Sequence, residues 1–364
     1  MAELFEIRPF EKCIEKVKYT TKVASQDFKQ SGRFPIISQE EAFISGYWDS
    51  PEDVFHISKP VVIFGDHSRH IKYIDFDFVI GADGVKILSP VDDINAKYFY
   101  YYLRWLDVPS LGYSRHFKSL KEKTVKVFPI DKQQRIVSEL DLLTDIIDKK
   151  NAQLRDLDNL AQSIFYEMFG DPSINEKGWP VVALETIAES RIGLTYKPEN
   201  VSEEGTIVLR SSNIQESEID LKDIVRVNCP IKENQYVQEG DILMCSRNGS
   251  FKLVGKVAKI GTLPERMSYG AFMTTIRSKY NPYLFEFFKL PAFRTQLGLA
   301  KTATINQITV KMLANTEVAL PPLDLQRAFE KRVASIYAQK ASIKQSMKDC
   351  QNLRDSRMLM YFND

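Results

Sequence analysis

The sequence predicts an α+β fold in which two tandem globular domains alternate with two long helices, as a pseudo-two-fold internal repeat. Three observations predict it. Residues 118–169 lie on residues 311–362 without a gap, two stretches keep a heptad seam, and short β-branched and aromatic runs fill the segments between them. In the gapless match Lys118 meets Lys311, Leu120 meets Leu313 and Val125 meets Val318, while Pro129, Asp131 and Gln133 meet Pro322, Asp324 and Gln326. Upstream the likeness is looser. NAKYFYYYL (95–103) resembles NPYLFEFFK (281–289), Gly81-Ala82 matches Gly270-Ala271, and GRFPIISQ (32–39) matches GTIVLRSS (205–212). Offsets that drift in this way mark loop insertions in two copies of one fold. The expected order is a domain over 1–128, a helix over 129–170, a domain over 171–321 and a helix over 322–364.

The first domain carries the apolar runs VVIFG (61–65) and DFVIG (77–81), bounded by turn residues as strands are. Between them GDHSRHIKY (65–73) offers His67, Arg69 and His70 on a loop, and Ser114, Arg115 and Lys118 stand before the first helix as phosphate-contact candidates. Asp66, His67 and His70 lack the further ligand cluster a metal site needs, so no metal is expected.

The first helix shows apolar residues at Ile136, Leu140, Leu143, Ile147, Leu154 and Leu157, the alternating four-and-three spacing of a coiled-coil seam with Lys150 at one seam position. Pro129 marks its start and Gly170-Asp171-Pro172 its stop. The second helix repeats the seam at Phe329, Val333, Ile336, Ile343 and Met347, with Lys340 in register, and loses regularity after Cys350. Two seams of equal length in one chain pair with each other, antiparallel, because a globular domain must return the chain between them. At 1.5 Å per residue each spans ~60 Å. The plainer alternative is that each helix packs only on its neighbouring domain.

The second domain has a basic loop, SRNGSFKLVGK (246–256). Over 240–280, Arg247, Lys252, Lys256, Lys259, Arg266, Arg277 and Lys279 stand against Asp241 and Glu265. Arginine and asparagine beside a flexible Gly-Ser turn suit paired hydrogen bonds to guanine and adenine edges. Ser246, Arg247, Asn248, Ser250 and Lys252 are therefore candidates, with Arg210, Ser211, Asn213, Thr304 and Asn306 as polar residues nearby. A solvated polar face is the plainer reading of any one such loop.

Composition bounds the function. The chain has 364 residues, 44% of them hydrophobic, enough for two cores. Its formal net charge is +1, so a nucleic-acid surface must be local. Cys13, Cys229, Cys245 and Cys350 form no CxxC pair, which fits a reducing compartment rather than a disulfide framework or zinc module. The segment MAELFEIRPFEK has no signal-peptide apolar run, and no stretch approaches the ~20 apolar residues of a membrane span, so a cytoplasmic protein is expected. Catalytic signatures fail in detail. Asn281-Pro282-Tyr283 lacks the second proline of a methyltransferase motif, GSFKLVGKV has the wrong spacing for a phosphate-binding loop, and neither GxSxG nor HExxH occurs.

FPIDKQQRIVSELDLLTDIIDKKNAQLRDLDNLAQSIFYEMFGDP (128–172), its second copy LPPLDLQRAFEKRV (320–333), and Gly178-Trp179-Pro180 after the helix stop resemble the specificity (S, HsdS) subunits of type I restriction-modification systems. VVIFGDHSRHIKYIDFDFVIGADGVKIL (61–88) and VQEGDILMCSRNGSFKLVG (237–255) resemble their target-recognition domains, and the likeness extends over essentially the whole chain. The resemblance implies a non-catalytic subunit in which each domain reads one half of a bipartite site in double-stranded DNA. The helices would separate the readers and dock methyltransferase (M) subunits, and restriction-translocase (R) subunits would complete the complex. S-adenosylmethionine, ATP and Mg would belong to those partners, and this chain would need no cofactor or membrane. The alternatives are a specificity subunit of a bipartite type II system and a coiled-coil scaffold that binds no DNA.

Overall fold

The structure, a computed structural model, describes residues 5–106, 108–109, 112, 114–298 and 307–363. The chain divides into two compact units, residues 1–152 with 343–364 and residues 153–342.

In the first unit Val61–Gly65 is buried along its whole length, as a continuous apolar run predicts for a strand covered on both faces. It pairs antiparallel with Ile71–Ile74 on one side and Val85–Pro90 on the other, and Ile14–Glu15 completes the four-stranded sheet. A second sheet is built on Phe78–Gly81, which runs parallel to Phe34–Ile37 and to Lys22–Val23. Glu6–Pro9 and Thr124–Val127 form a separate ribbon.

The second unit repeats this plan. Ile242–Cys245 lies between Val257–Lys259 and Met273–Arg277, both antiparallel, with Glu189–Ile192 at the far edge. Met267–Tyr269 runs parallel to Thr206–Leu209, and Val181–Ala183 pairs with Glu317–Ala319. The repeat extends to single hydrogen bonds. The Tyr98 hydroxyl donates to the Lys126 carbonyl at 2.5 Å, and Tyr283 donates to that of Ala319 at 2.6 Å. Gln133 Nε2 donates to Phe128 O and Gln326 Nε2 to Pro321 O, both at 2.7 Å.

These bonds correct two alignments made from sequence. Tyr98 answers Tyr283 rather than Leu284, and Ile37, paired with Ile80, answers Leu209, paired with Tyr269. Each correction is one residue. Aromatic or β-branched side chains stand at adjacent positions there, so residue type alone does not fix the register.

The long helices are Ile130–Phe169 and Leu323–Phe362, of 40 residues each. Pro129 O accepts from Lys132 N and Gln133 N, and Pro322 O accepts from Leu325 N and Gln326 N, so each helix opens on a proline. The first ends at Gly170, whose φ of +76 closes the last turn, and Trp179 Nε1 donates to the otherwise open Phe169 carbonyl at 2.9 Å.

Both helices contribute to the core of each unit. In the first unit Ile136 and Leu140 pack with Tyr98, Phe99 and Tyr102, joined by Met358 and Phe362. Arg357 pairs with Glu139 at 2.8 Å, and the Tyr361 hydroxyl donates to the same carboxylate. In the second unit Ile164, Phe165 and Phe169 share a core with Tyr283, Phe329, Val333 and Ile336. Arg332 forks onto Glu167 at 2.8 and 3.0 Å, and Lys340 pairs with Asp158. In this second unit a step back along one helix is a step forward along the other. Leu143, Ile147 and Leu154 are buried, whereas Leu157, Ile343 and Met347 are half-buried. Among the described residues no helix is long and apolar enough to cross a membrane, and no group of three or more His, Cys, Asp or Glu is placed to hold a metal.

Candidate nucleic-acid interface

In the first unit the chain turns between Val61–Gly65 and Ile71–Ile74 through Asp66 to His70. Asp66 is buried and anchors the turn. Its amide donates to Gly84 O, its carbonyl accepts from His116 N, and its carboxylate accepts from Phe117 N at 2.8 Å. Lys86 Nζ, 3.5 Å away, balances the carboxylate. His67 Nδ1 lies 3.2 Å from the Ser114 carbonyl, and Arg69, held at φ +63, donates to Val108 O at 2.9 Å. Gln39 fastens the other side, accepting from His67 N and from the Ser68 hydroxyl. The fold thus brings together all six candidates of this unit, His67, Arg69, His70, Ser114, Arg115 and Lys118. Of these, Arg69, His70, Arg115 and Lys118 are exposed with no ion-pair partner among the described residues, though Arg69 is tied to the Val108 carbonyl.

The second unit builds the equivalent turn with other residues. Ser246 N donates to Phe272 O as Asp66 N does to Gly84 O, and Ile308 N donates to Ser246 O as His116 N does to Asp66 O. The Ser246 hydroxyl is buried against Thr274. Arg247 N also donates to Phe272 O, and its guanidinium lies 5.3 Å from the centre of the Phe272 ring. Asn248 faces inward, donating from Nδ2 to Ser211 Oγ at 3.0 Å and accepting from Ser250 N at 2.8 Å. Ser250 and Lys252 are exposed. A cavity of about 620 Å³ opens beside this turn, between Tyr196, Arg210, Ser211 and Phe272.

Two expectations change here. Asn213 is fully buried, donating to Asp220 O and Asp223 O and accepting from Arg210 N, so it organises its loop and does not reach solvent. Arg210 is half-buried and paired with Asp223 at 2.8 Å. Thr304 and Asn306 lie outside the described residues.

Three of the seven cations of this unit's basic run are neutralised from within. Arg277 forks onto buried Asp241 at 2.7 Å, and that carboxylate raises the guanidinium's pKa. Arg266 pairs with Glu233 and Arg226 with Glu265, and Lys256 donates to Ile214 O. Lys259 faces Glu330, and Lys279 lies over Tyr280. Arg247, Lys252, Lys256 and Lys279 have no ion-pair partner among the described residues, and of these Arg247, Lys252 and Lys279 are exposed. Burial pushes the neighbouring Cys245 thiol up, which keeps it protonated.

Sequence reasoning missed Phe272 and Gln39. Phe272 is 57% exposed, an unusual setting for a large aromatic in a turn. Its place just after Gly270-Ala271, a pair already matched to the first half, was the available signal. Nothing in the sequence around Gln39 marks it.

Residues 176–348 match the type I restriction modification DNA specificity domain. Over 177 residues the chain is 28% identical to the type I restriction enzyme EcoKI specificity subunit of Escherichia coli (strain K12), covering 46% of this chain and 38% of that protein. It is 29% identical over 177 residues to the StySPI specificity subunit of Salmonella potsdam, again 38% of the relative's length. A longer match, 22% over 346 residues, joins 83% of the chain to 70% of the EcoBI specificity subunit of E. coli. Among solved structures, the S subunit of a type I restriction-modification system from M. genitalium superposes with a TM-score of 0.57 over 100% of this chain and 97% of its own. At 15% identity that likeness is one of fold.

Proposed function

We propose that the chain is the sequence-reading subunit of a type I restriction-modification system, since residues 176–348 match the type I restriction modification DNA specificity domain. The observation that carries the proposal is the repeat of one plan with different turn residues. Both units anchor the same turn by the same main-chain bonds, yet one presents His67, Arg69 and His70 and the other Arg247 and Ser250, with Asn248 turned inward between them. A shared frame with divergent tips suits two readers of two half-sites.

On this reading residues 1–128 and 171–321 are target-recognition domains, and the two helices pair as an antiparallel coiled coil that separates them. His70, Arg115, Lys118, Arg247 and Lys252 contact DNA, because each is exposed with no carboxylate partner and, unlike Arg69, no side-chain bond to a backbone carbonyl among the described residues. Arg69, Ser114, Ser211 and Ser250 shape the two surfaces. The chain supplies the address. Methyltransferase subunits docked on the helices supply S-adenosylmethionine chemistry on an adenine flipped out of the duplex, and restriction subunits supply ATP- and Mg-dependent cleavage.

The test is methylome sequencing of cells expressing the chain with and without a type I methyltransferase subunit. A bipartite N6-methyladenine motif that requires both proteins is the expected result. Methylation by an active methyltransferase that is unchanged by this chain would instead favour a scaffold without DNA function.

A further inference from the structure

Within that DNA-reading function, we infer that Arg247, stacked on Phe272, reads a guanine in the half-site assigned to the second unit, and that Asn248 reads no base. Three observations converge on this assignment.

First, Arg247 is the exposed cation at the tip of the turn, and it has no ion-pair partner among the described residues. An arginine matched to an internal carboxylate has its fork occupied, as Arg210 has with Asp223. The fork of Arg247 has no carboxylate on it among the described residues. Second, the Phe272 ring beneath the guanidinium is itself exposed, and the Phe272 carbonyl accepts from both Ser246 N and Arg247 N. Main chain and ring therefore fix the arginine from two directions. A planar fork held this way loses little conformational freedom on forming two parallel bonds, and the O6 and N7 acceptors of guanine in the major groove match it. Third, half-buried Asn248 donates one amide proton to Ser211 and accepts from Ser250 N, so its amide plane is held against the protein and turned away from the paired geometry adenine requires.

Among its described residues the first unit lacks the device. Gly84 stands where Phe272 does, by the shared bond to the turn, and the residue after the anchor is His67, whose ring faces the Ser114 carbonyl. The two half-sites are thus read by different chemistry, and only one contains the guanine assigned here.

The experiment selects bound duplexes from a randomised double-stranded DNA pool with the full chain assembled with its methyltransferase subunit. It compares wild type, R247A, F272A and F272Y, with thermal melting to confirm that each folds. The wild type is expected to select a bipartite motif. R247A should select the same motif with one guanine relaxed by about tenfold or more and the other half-site unchanged. F272A should weaken discrimination at that same guanine, and F272Y should restore it. A motif in which R247A relaxes no position, or relaxes a base pair without guanine, overturns the assignment while leaving the DNA-reading function standing. An F272A selection indistinguishable from wild type overturns the positioning role of the ring. Failure of the wild type to select any motif overturns the DNA-reading function and the guanine assignment together.

Discussion

Asp66 and Ser246 hold equivalent turns by equivalent main-chain bonds, and the side chains around them separate into groups that face inward and groups left to solvent. Asn213 is the clearest inward case. Replacing it with alanine leaves the Asp220 and Asp223 carbonyls and the Arg210 amide without their partner, at a cost of about 1–3 kcal/mol by chemical denaturation. Lys118 is the opposite case. Lys118→Ala should leave stability within about 0.5 kcal/mol, lower affinity for all sequences about equally, and flatten the log–log salt dependence of binding by roughly one unit. A loss confined to one sequence would remove Lys118 from the phosphate contacts. The same division explains what was legible at this scale. A run of seven cations against two acids looks like a basic surface in the sequence, but the acids that neutralise it, Glu233 and Glu330 among them, come from distant segments. Local composition does not contain that pairing, and among the described residues Arg247, Lys252 and Lys279 stay exposed without an ion-pair partner, as the run suggested.

At the scale of elements, periodicity was the most informative part of the sequence. The helix bounds follow from Pro129, Gly170 and Pro322, because a fixed proline φ opens a helix and a left-handed glycine closes one. The strands were legible as apolar runs, but their pairing was not. The parallel alignment of Phe34–Ile37 with Phe78–Gly81 joins segments far apart in sequence, and only the packed sheet sets it. The helix faces also hold polar positions with different consequences. Lys340 is 8% exposed and paired with half-exposed Asp158. Asp158→Ala strands a buried ammonium and should cost roughly 1–2 kcal/mol, less than for a fully buried pair, whereas Lys340→Met should be neutral or stabilising. Thermal melts of the two variants separate these outcomes. Leu143→Asp buries a charge without a partner and should cost several kcal/mol.

For the molecule as a whole, the proposed role of the helices is the number of unread base pairs between half-sites. Adding one heptad to both helices lengthens each by ~10.5 Å, or about three base pairs of duplex. Methylome sequencing should then show the same two half-sites with a longer gap, and an unchanged gap would end that role. The assembly of each core from both helices has a separate consequence, in the order of synthesis. Most of the first unit is made before the second, yet its aromatic cluster around Tyr98, Tyr102 and Trp105 is capped by Phe362, and its ribbon by the bond from Lys126 to the Asn363 carbonyl. On the ribosome that unit must wait, with its cluster open, until more than two hundred further residues have emerged. The second unit, residues 153–342, holds its own core residues in one continuous stretch. The half translated later is therefore the half able to fold first.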